Sequence, residues 1–237
     1  MTQPTAVELR DVRRTYEQGR IRALDGISLS IPRGAFVAIT GPSGSGKTTL
    51  LNVVGGLDEA ESGEVLVEGA PLGPLRTLDA YRARRVGFVF QLFNLLPTLT
   101  ACENVEVGLM PQGLSAPERE TRARAALSAV GMGGRADDTV TRFSGGERQR
   151  VGIARAIAGG ATLLLADEPT GALDRATGIA IVDLLDRVRR ERGATLLVVT
   201  HNPEIAARAD REIRLVDGRL AETARPPGGA DEAETPF

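Results

Sequence analysis

The segment Gly41-Pro-Ser-Gly-Ser-Gly46-Lys47-Thr48-Thr49 limits what this chain can fold into more than any other stretch. An apolar run, Phe36-Val-Ala-Ile-Thr40, enters it, and Thr48-Thr-Leu-Leu-Asn-Val-Val54 leaves it as a predicted helix. A strand, a GxxxxGK[ST] turn and a helix in that order make a phosphate-binding loop. Gly41, Gly44 and Gly46 let the backbone turn with its N–H groups inward, where side chains would intrude. Those N–H groups, backed by a helix N-terminus, hold phosphate oxygens. Gly41, Pro42, Ser43, Gly44, Ser45, Gly46, Lys47, Thr48 and Thr49 are therefore the predicted nucleotide contacts, with Thr48 offering a hydroxyl to Mg²⁺. Lys47 is the only lysine; the other 28 of the 29 basic residues are arginine. A slim point charge suits the β- and γ-phosphates where a guanidinium fork would not.

Composition excludes several classes. With 237 residues, 42% hydrophobic and 25% charged, the chain can bury the core of one large domain or a domain with a sub-domain. A net charge of −2 and a pI near 5.7 give no nucleic-acid signature, and no nucleic-acid partner is expected. No apolar stretch approaches a bilayer span. The start, MTQPTAVELR, has neither the basic nor the apolar region of an export signal. The lone Cys102 cannot make an internal disulfide, which suits a reducing cytosol, and it reads as a small buried residue.

Alternation predicts half-buried antiparallel strands at 7–12, 27–31 and 63–69, and a short buried strand at 86–90. From Leu92 to about Gly160 the pattern turns helical. Strands return at 162–166 and 195–200 around a helix at roughly 176–191, the alternation of a parallel sheet with crossover helices. Two last strands at 212–216 and 219–222 flank an Asp217-Gly218 hairpin turn. The segment 224–237, rich in Pro, Gly and acids, reads as a disordered tail.

The P-loop needs an acid to complete a Mg²⁺ shell. The apolar run Leu163-Leu-Leu-Ala166 ends in Asp167-Glu168, which supplies that acid and a second one able to orient or deprotonate water. The same acids could merely favour a helix N-terminus. His201, the only histidine, follows the strand at 195–200, and Gln91 follows the strand at 86–90. Both end strands at the sheet edge where such folds bind ligands. His201 could bond the γ-phosphate or the attacking water, and Gln91 could touch Mg²⁺ or that water. Finally, Phe143-Ser144-Gly145-Gly146-Glu147 opens a long amphipathic helix. Its end is either a capped terminus or a second anion site, which would complete the P-loop site of another subunit.

Together these motifs resemble the ATP-binding subunit of an ABC transporter, through about residue 222. The family's Walker A resembles residues 41–49, its glutamine loop Gln91, its signature Ser144-Gly145-Gly146-Glu147 and its Walker B 163–168. Its D-loop resembles Gly171-Ala-Leu-Asp174, its switch histidine His201, and its adenine-stacking aromatic Tyr16, although a lone aromatic after a strand is often core. Phe143 and Glu147 depart from the commonest leucine and glutamine. The resemblance implies an α/β P-loop NTPase core with a mixed parallel sheet, an N-terminal antiparallel β sub-domain and an inserted α-helical sub-domain. The implied domain covers 1–223, its helical part about 92–160.

It also implies an ATPase in which two copies, or a paired cassette, close head to tail over two ATP–Mg²⁺. Lys47, Gln91, Glu168 and His201 would be catalytic. Thr48, Gln91 and Asp167 would order the metal. Tyr16, the P-loop, Ser144, Gly145, Gly146, Glu147 and Asp174 would contact nucleotide. Within the family, segments 88–105 and 167–174 look most like the macrolide-export, lipoprotein-release and antimicrobial-peptide-resistance branch. Leu92–Leu99 either fills the helical sub-domain or forms a groove for a cytoplasmic helix of a membrane permease. The expected location is cytoplasmic, at the inner face of the membrane. A cell-division ATPase acting on wall hydrolases and an importer subunit share this scaffold. A soluble DNA or ribosome ATPase would bring coiled-coil insertions or tandem cassettes.

Overall fold

The computed structural model describes residues 4–224. Two sheets organise them. The first is antiparallel, in the order β2-β1-β4-β5, from Thr5–Tyr16 (β1), Ile21–Pro32 (β2), Ser62–Val67 (β4) and Ala70–Pro71 (β5). The second runs β10-β9-β3-β8-β7-β6. Its strands are Phe36–Thr40 (β3), Val86–Phe90 (β6), Leu163–Asp167 (β7), Thr195–Val199 (β8), Arg211–Val216 (β9) and Arg219–Ala224 (β10). All its neighbours pair in parallel except β9 and β10. Ala224 thus belongs to the last strand; the rest of the segment read as a disordered tail lies outside the described residues.

The short central strands are apolar throughout because both their faces are covered. Phe36, Ala38, Leu164, Ala166, Leu196 and Val198 face one core, shared with the helices. Val37, Ile39, Leu163, Leu165, Leu197 and Val199 face the other, shared with the antiparallel sheet. The helices are Lys47–Val54 (α1), Asp79–Arg85 (α2), Ala101–Val107 (α3), Ala116–Ala129 (α4), Gly145–Ala158 (α5), Arg175–Arg192 (α6) and Pro203–Ala206 (α7).

The antiparallel strands β1 and β2 are longer than alternation predicts. Register shifts between Leu9 and Val12 and around Arg13 break the period while the pairing continues. Residues 92–100 are not helical, contrary to expectation. Phe93 and Asn94 take positive φ of 62° and 49°, and buried Asn104 holds the loop by accepting from Leu96 N–H at 2.7 Å. The helical region starts only at Ala101, where Thr100 and Glu103 form a capping box. The Asp217-Gly218 turn has φ of 47° and 73°, the left-handed pair that a two-residue hairpin needs.

Candidate functional site: the P-loop cleft

Sheet register decides what meets the P-loop. Ile39 on β3 pairs with Val199 on β8, Val199 with Asp167 on β7, and Asp167 with Phe90 on β6. Strands β6, β7 and β8 therefore end at one level, and Gln91, Glu168 and Thr200 emerge on one edge beside Thr40, the last residue of β3. There lies a cleft of about 460 Å³, lined by Tyr16, Ile21, Ala23, Gly41, Ser43–Thr49, Asp167, Glu168, Val199 and His201. That volume is in the range of small-ligand sites.

The P-loop glycines have a reason the sequence did not disclose. A Cβ on Gly41, at φ 139°, would stand 2.0 Å from the Leu215 carbonyl oxygen. One on Gly46, at φ 96°, would stand 2.0 Å from that of Ala23. Strands β9 and β2 press on the loop from outside, so these two glycines admit protein backbone. At Gly44 nothing lies within 4 Å, and there the space is left open toward the cleft.

Lys47 is buried, with its Nζ donating to the carbonyls of Gly41 at 3.0 Å and Pro42 at 2.7 Å. Thr48 Oγ1 donates to Asp167 Oδ1 at 3.2 Å and Oδ2 at 3.1 Å. Burial pushes the Asp167 carboxyl up from its ordinary value, and adjacent Glu168 adds to the rise; the Thr48 bond and Lys47 oppose it. Glu168 adopts φ 45°, with its N–H on the Val199 carbonyl at 3.0 Å. That turn carries its carboxylate to His201, whose Nδ1 lies 3.0 Å from Oε2. His201 stays largely exposed at the rim, at 75% of its side chain. Tyr16 lines the cleft with the Arg14 guanidinium 4.9 Å from its ring centre. Its hydroxyl donates to Asp58.

The other predicted residues lie outside this cleft. Gln91 is exposed and stands against the D-loop: a Cβ on Gly171 would sit 2.6 Å from its Nε2. Asp174 caps α6, accepting from Thr177 N–H at 3.0 Å and from its hydroxyl at 2.5 Å. Ser144 and Glu147 form a capping box on α5, and Gly145 and Gly146 abut Leu173 and Thr177. Four contributors went unnoticed in the sequence: Asp58, Arg135, Gln149 and Arg155. Arg135 pairs with Glu147 at 2.7 Å and stacks 4.7 Å over the Phe143 ring, so it touches both departures from the common signature. Its distance in sequence hides that contact. Gln149 and Arg155 lie in α5 itself, and only their polarity on its otherwise packed face could have marked them.

The model of the ABC transporter family matches residues 24–171. The chain is 47% identical over 222 residues to the uncharacterized ABC transporter ATP-binding protein YbbA of Escherichia coli K12, covering 92% of this chain and 97% of that one. It is 43% identical to the lipoprotein-releasing system ATP-binding protein LolD of Bordetella pertussis, covering 93% and 99%. Against the macrolide export ATP-binding/permease protein MacB of Brucella melitensis the identity is 46%, covering 90% of this chain and 34% of that longer protein. Among solved structures it resembles the dimeric ATP-binding cassette MJ0796 in a post-hydrolysis state with ADP and Pi. There the TM-score is 0.82 and the identity 41%, covering 94% of this chain and 99% of that one. The chain thus belongs to the ABC transporter family, as an ATP-binding and ATP-hydrolysing cassette.

Proposed function

We propose that two copies of this chain, or this chain and a paired cassette, close head to tail over two ATP and drive a membrane permease of the export or force-transmitting kind. One observation carries the site: Lys47, Thr48, Asp167, Glu168 and His201 converge in a single cleft. Lys47 and the P-loop N–H groups hold the β- and γ-phosphates, and Tyr16 stacks on adenine. Thr48 and Asp167 fit Mg²⁺: cis oxygens on an octahedral ion at about 2.0–2.1 Å stand about 3 Å apart, and theirs are 3.1 Å apart. Gln91, held outside the cleft against the D-loop here, would join that set on moving inward. Mg²⁺, when bound, would neutralise phosphate charge. Glu168 takes a proton from water or orients it for in-line attack, and His201, fixed through Glu168, holds the γ-phosphate.

Ser144, Gly145, Gly146 and Glu147 of one copy, with Asp174, reach the ATP of the other. The dimeric MJ0796 cassette supports the pairing. Similarity to MacB and LolD supports the branch. Leu92 and Leu96, exposed at 74% and 48%, support a permease contact at Leu92–Leu99. Among the described residues no helix is long and apolar enough to cross a membrane. Through the permease contact the chain would lie on the cytoplasmic face.

The test is the variant Glu168→Gln, tagged and purified from its own cells with ATP present. It should hydrolyse ATP slower by a factor of about 10² or more and stay paired on its partner. Recovery of a four-helix permease with a large outer domain supports the export branch. A many-span permease with a solute-binding protein would make this an importer subunit. Recovery of DNA or ribosomes with no membrane protein would sink the transporter reading.

A further inference from the structure

Helix α5 does more than present Ser144-Gly145-Gly146. Two of its side chains reach the backbone on either side of Gln91. Gln149 is fully buried, and its Nε2 donates to the Phe90 carbonyl at 3.2 Å and the Pro169 carbonyl at 2.7 Å. Phe90 immediately precedes Gln91, and Pro169 immediately follows Glu168. The amide cannot turn over, because its oxygen would then face two carbonyls. Gln149 Oε1 is buried and has no hydrogen-bond partner among the described residues.

Arg155, six residues on, grips the far side of the loop. Its Nη1 donates to the Asn94 carbonyl at 2.5 Å and its Nη2 to the Phe93 carbonyl at 2.8 Å. Phe93 and Asn94 are the two consecutive left-handed residues of the loop, a conformation that L side chains resist. A guanidinium fork can hold two neighbouring carbonyls in one plane, which an ammonium cannot. Among the described residues no carboxylate pairs with Arg155. Burial alone pulls its pKa below the ordinary value. A half-buried arginine without a counter-charge, spent on two loop carbonyls, is costly unless that loop must be held.

We propose that Gln149 and Arg155 are positioning residues for Gln91, so that α5 sets where the Gln91 amide stands relative to Asp167 and Glu168. Gln149 ties the start of the loop to the residue after Glu168, and Arg155 fixes the turn beyond. A shift of α5 when its N-terminus meets a second nucleotide then moves Gln91 with it. The proposal rests on the reading that Gln91 serves the metal or the attacking water.

The full chain, with Gln91→Ala, Arg155→Met and Gln149→Met singly and paired, tests it. Steady-state hydrolysis gives kcat and KM, a fluorescent ATP analogue gives nucleotide affinity, and melting reports folding. Arg155→Met and Gln149→Met should each lower kcat by about tenfold, as misplaced groups do, with nucleotide affinity unchanged because the P-loop is untouched. Added to Gln91→Ala, neither should lower kcat further. Losses that multiply in the double variants overturn the proposal, as does a normal kcat in both α5 variants when Gln91→Ala is impaired. A normal kcat in Gln91→Ala would instead remove the role of Gln91 itself, and this proposal with it. Should the Met variants melt early, Arg155→Lys and Gln149→Asn run the same cycle. Lysine keeps the charge without the fork, and asparagine keeps the amide but falls one methylene short of the two carbonyls.

Discussion

Among the described residues the N-termini of α1 and α5 both carry glycine, and they are built differently. At α1 the cap residue is Gly46, with no side-chain bond to the helix and no acid in the first turn. At α5 the cap is Ser144, which accepts from Glu147 N–H, while the Glu147 carboxylate accepts from Ser144 N–H. The first end leaves its donors and its dipole to a ligand. The second satisfies one donor itself and places a carboxylate there, held below the usual range chiefly by the Ser144 N–H. The difference separates a site that binds phosphate by itself from one that can only add to phosphate already held.

The hardest way to break that asymmetry is Lys47→Ala. Its ammonium is the only lysine or arginine charge among the described residues that line the cleft. Losing it should cut hydrolysis by about 10² or more, measured as phosphate release at saturating ATP. Lys47→Arg should fare no better, because Nζ fits between the Gly41 and Pro42 carbonyls at 3.0 and 2.7 Å as a point donor. Activity near normal in either variant would put the phosphate charge on another group.

How far the sequence reveals this depends on which forces act locally. The P-loop, Asp167, Glu168 and His201 were legible because each follows an apolar strand, and parallel strands bring their ends to one edge. The loop 92–100 departs from the helical pattern expected from Leu92 onward, although Leu92, Leu95 and Leu96 have helical spacing. What overrides that spacing is tertiary: Arg155 holds the Phe93 and Asn94 carbonyls, and Asn104 holds Leu96. Likewise Gly41 and Gly46 announce a phosphate loop, yet their tightest contacts are with Leu215 and Ala23, distant in sequence. Alternation found the antiparallel strands and lost their ends at the bulges.

A smaller effect sharpens the comparison from the α5 side. Arg135 offsets the Glu147 charge at 2.7 Å. In a Glu168→Gln background, Arg135→Ala should weaken ATP-dependent pairing by about three- to fivefold, modest because both side chains are partly exposed. Light scattering across protein concentration measures it. Adding Glu147→Gln should restore most of the pairing, since the amide oxygen still accepts from Ser144 N–H and only Asp138, the second carboxylate paired with Arg135, is left to offset. If Arg135 instead touched the second nucleotide directly, removing the Glu147 charge would restore nothing.

The smallest effect belongs to Asp167, and its sign differs between the empty and loaded cleft. Burial raises its pKa, so the folded chain holds that proton more tightly than the unfolded one. Its contribution therefore favours folding below about pH 4 and is lost as pH climbs through the raised value. At neutral pH the charge costs stability, and Asp167→Asn should melt about 1–3 °C higher without nucleotide. The advantage should shrink to nothing as pH falls toward about 4. With Mg²⁺ and ATP the order should invert, because the natural carboxylate gains binding that the amide cannot. A variant that melts no higher at pH 7 would mean that the Thr48 hydrogen bonds at 3.1 and 3.2 Å outweigh the desolvation. Inversion on loading would mean that the cleft trades fold stability for a metal-ready acid, as a site that binds phosphate by itself requires.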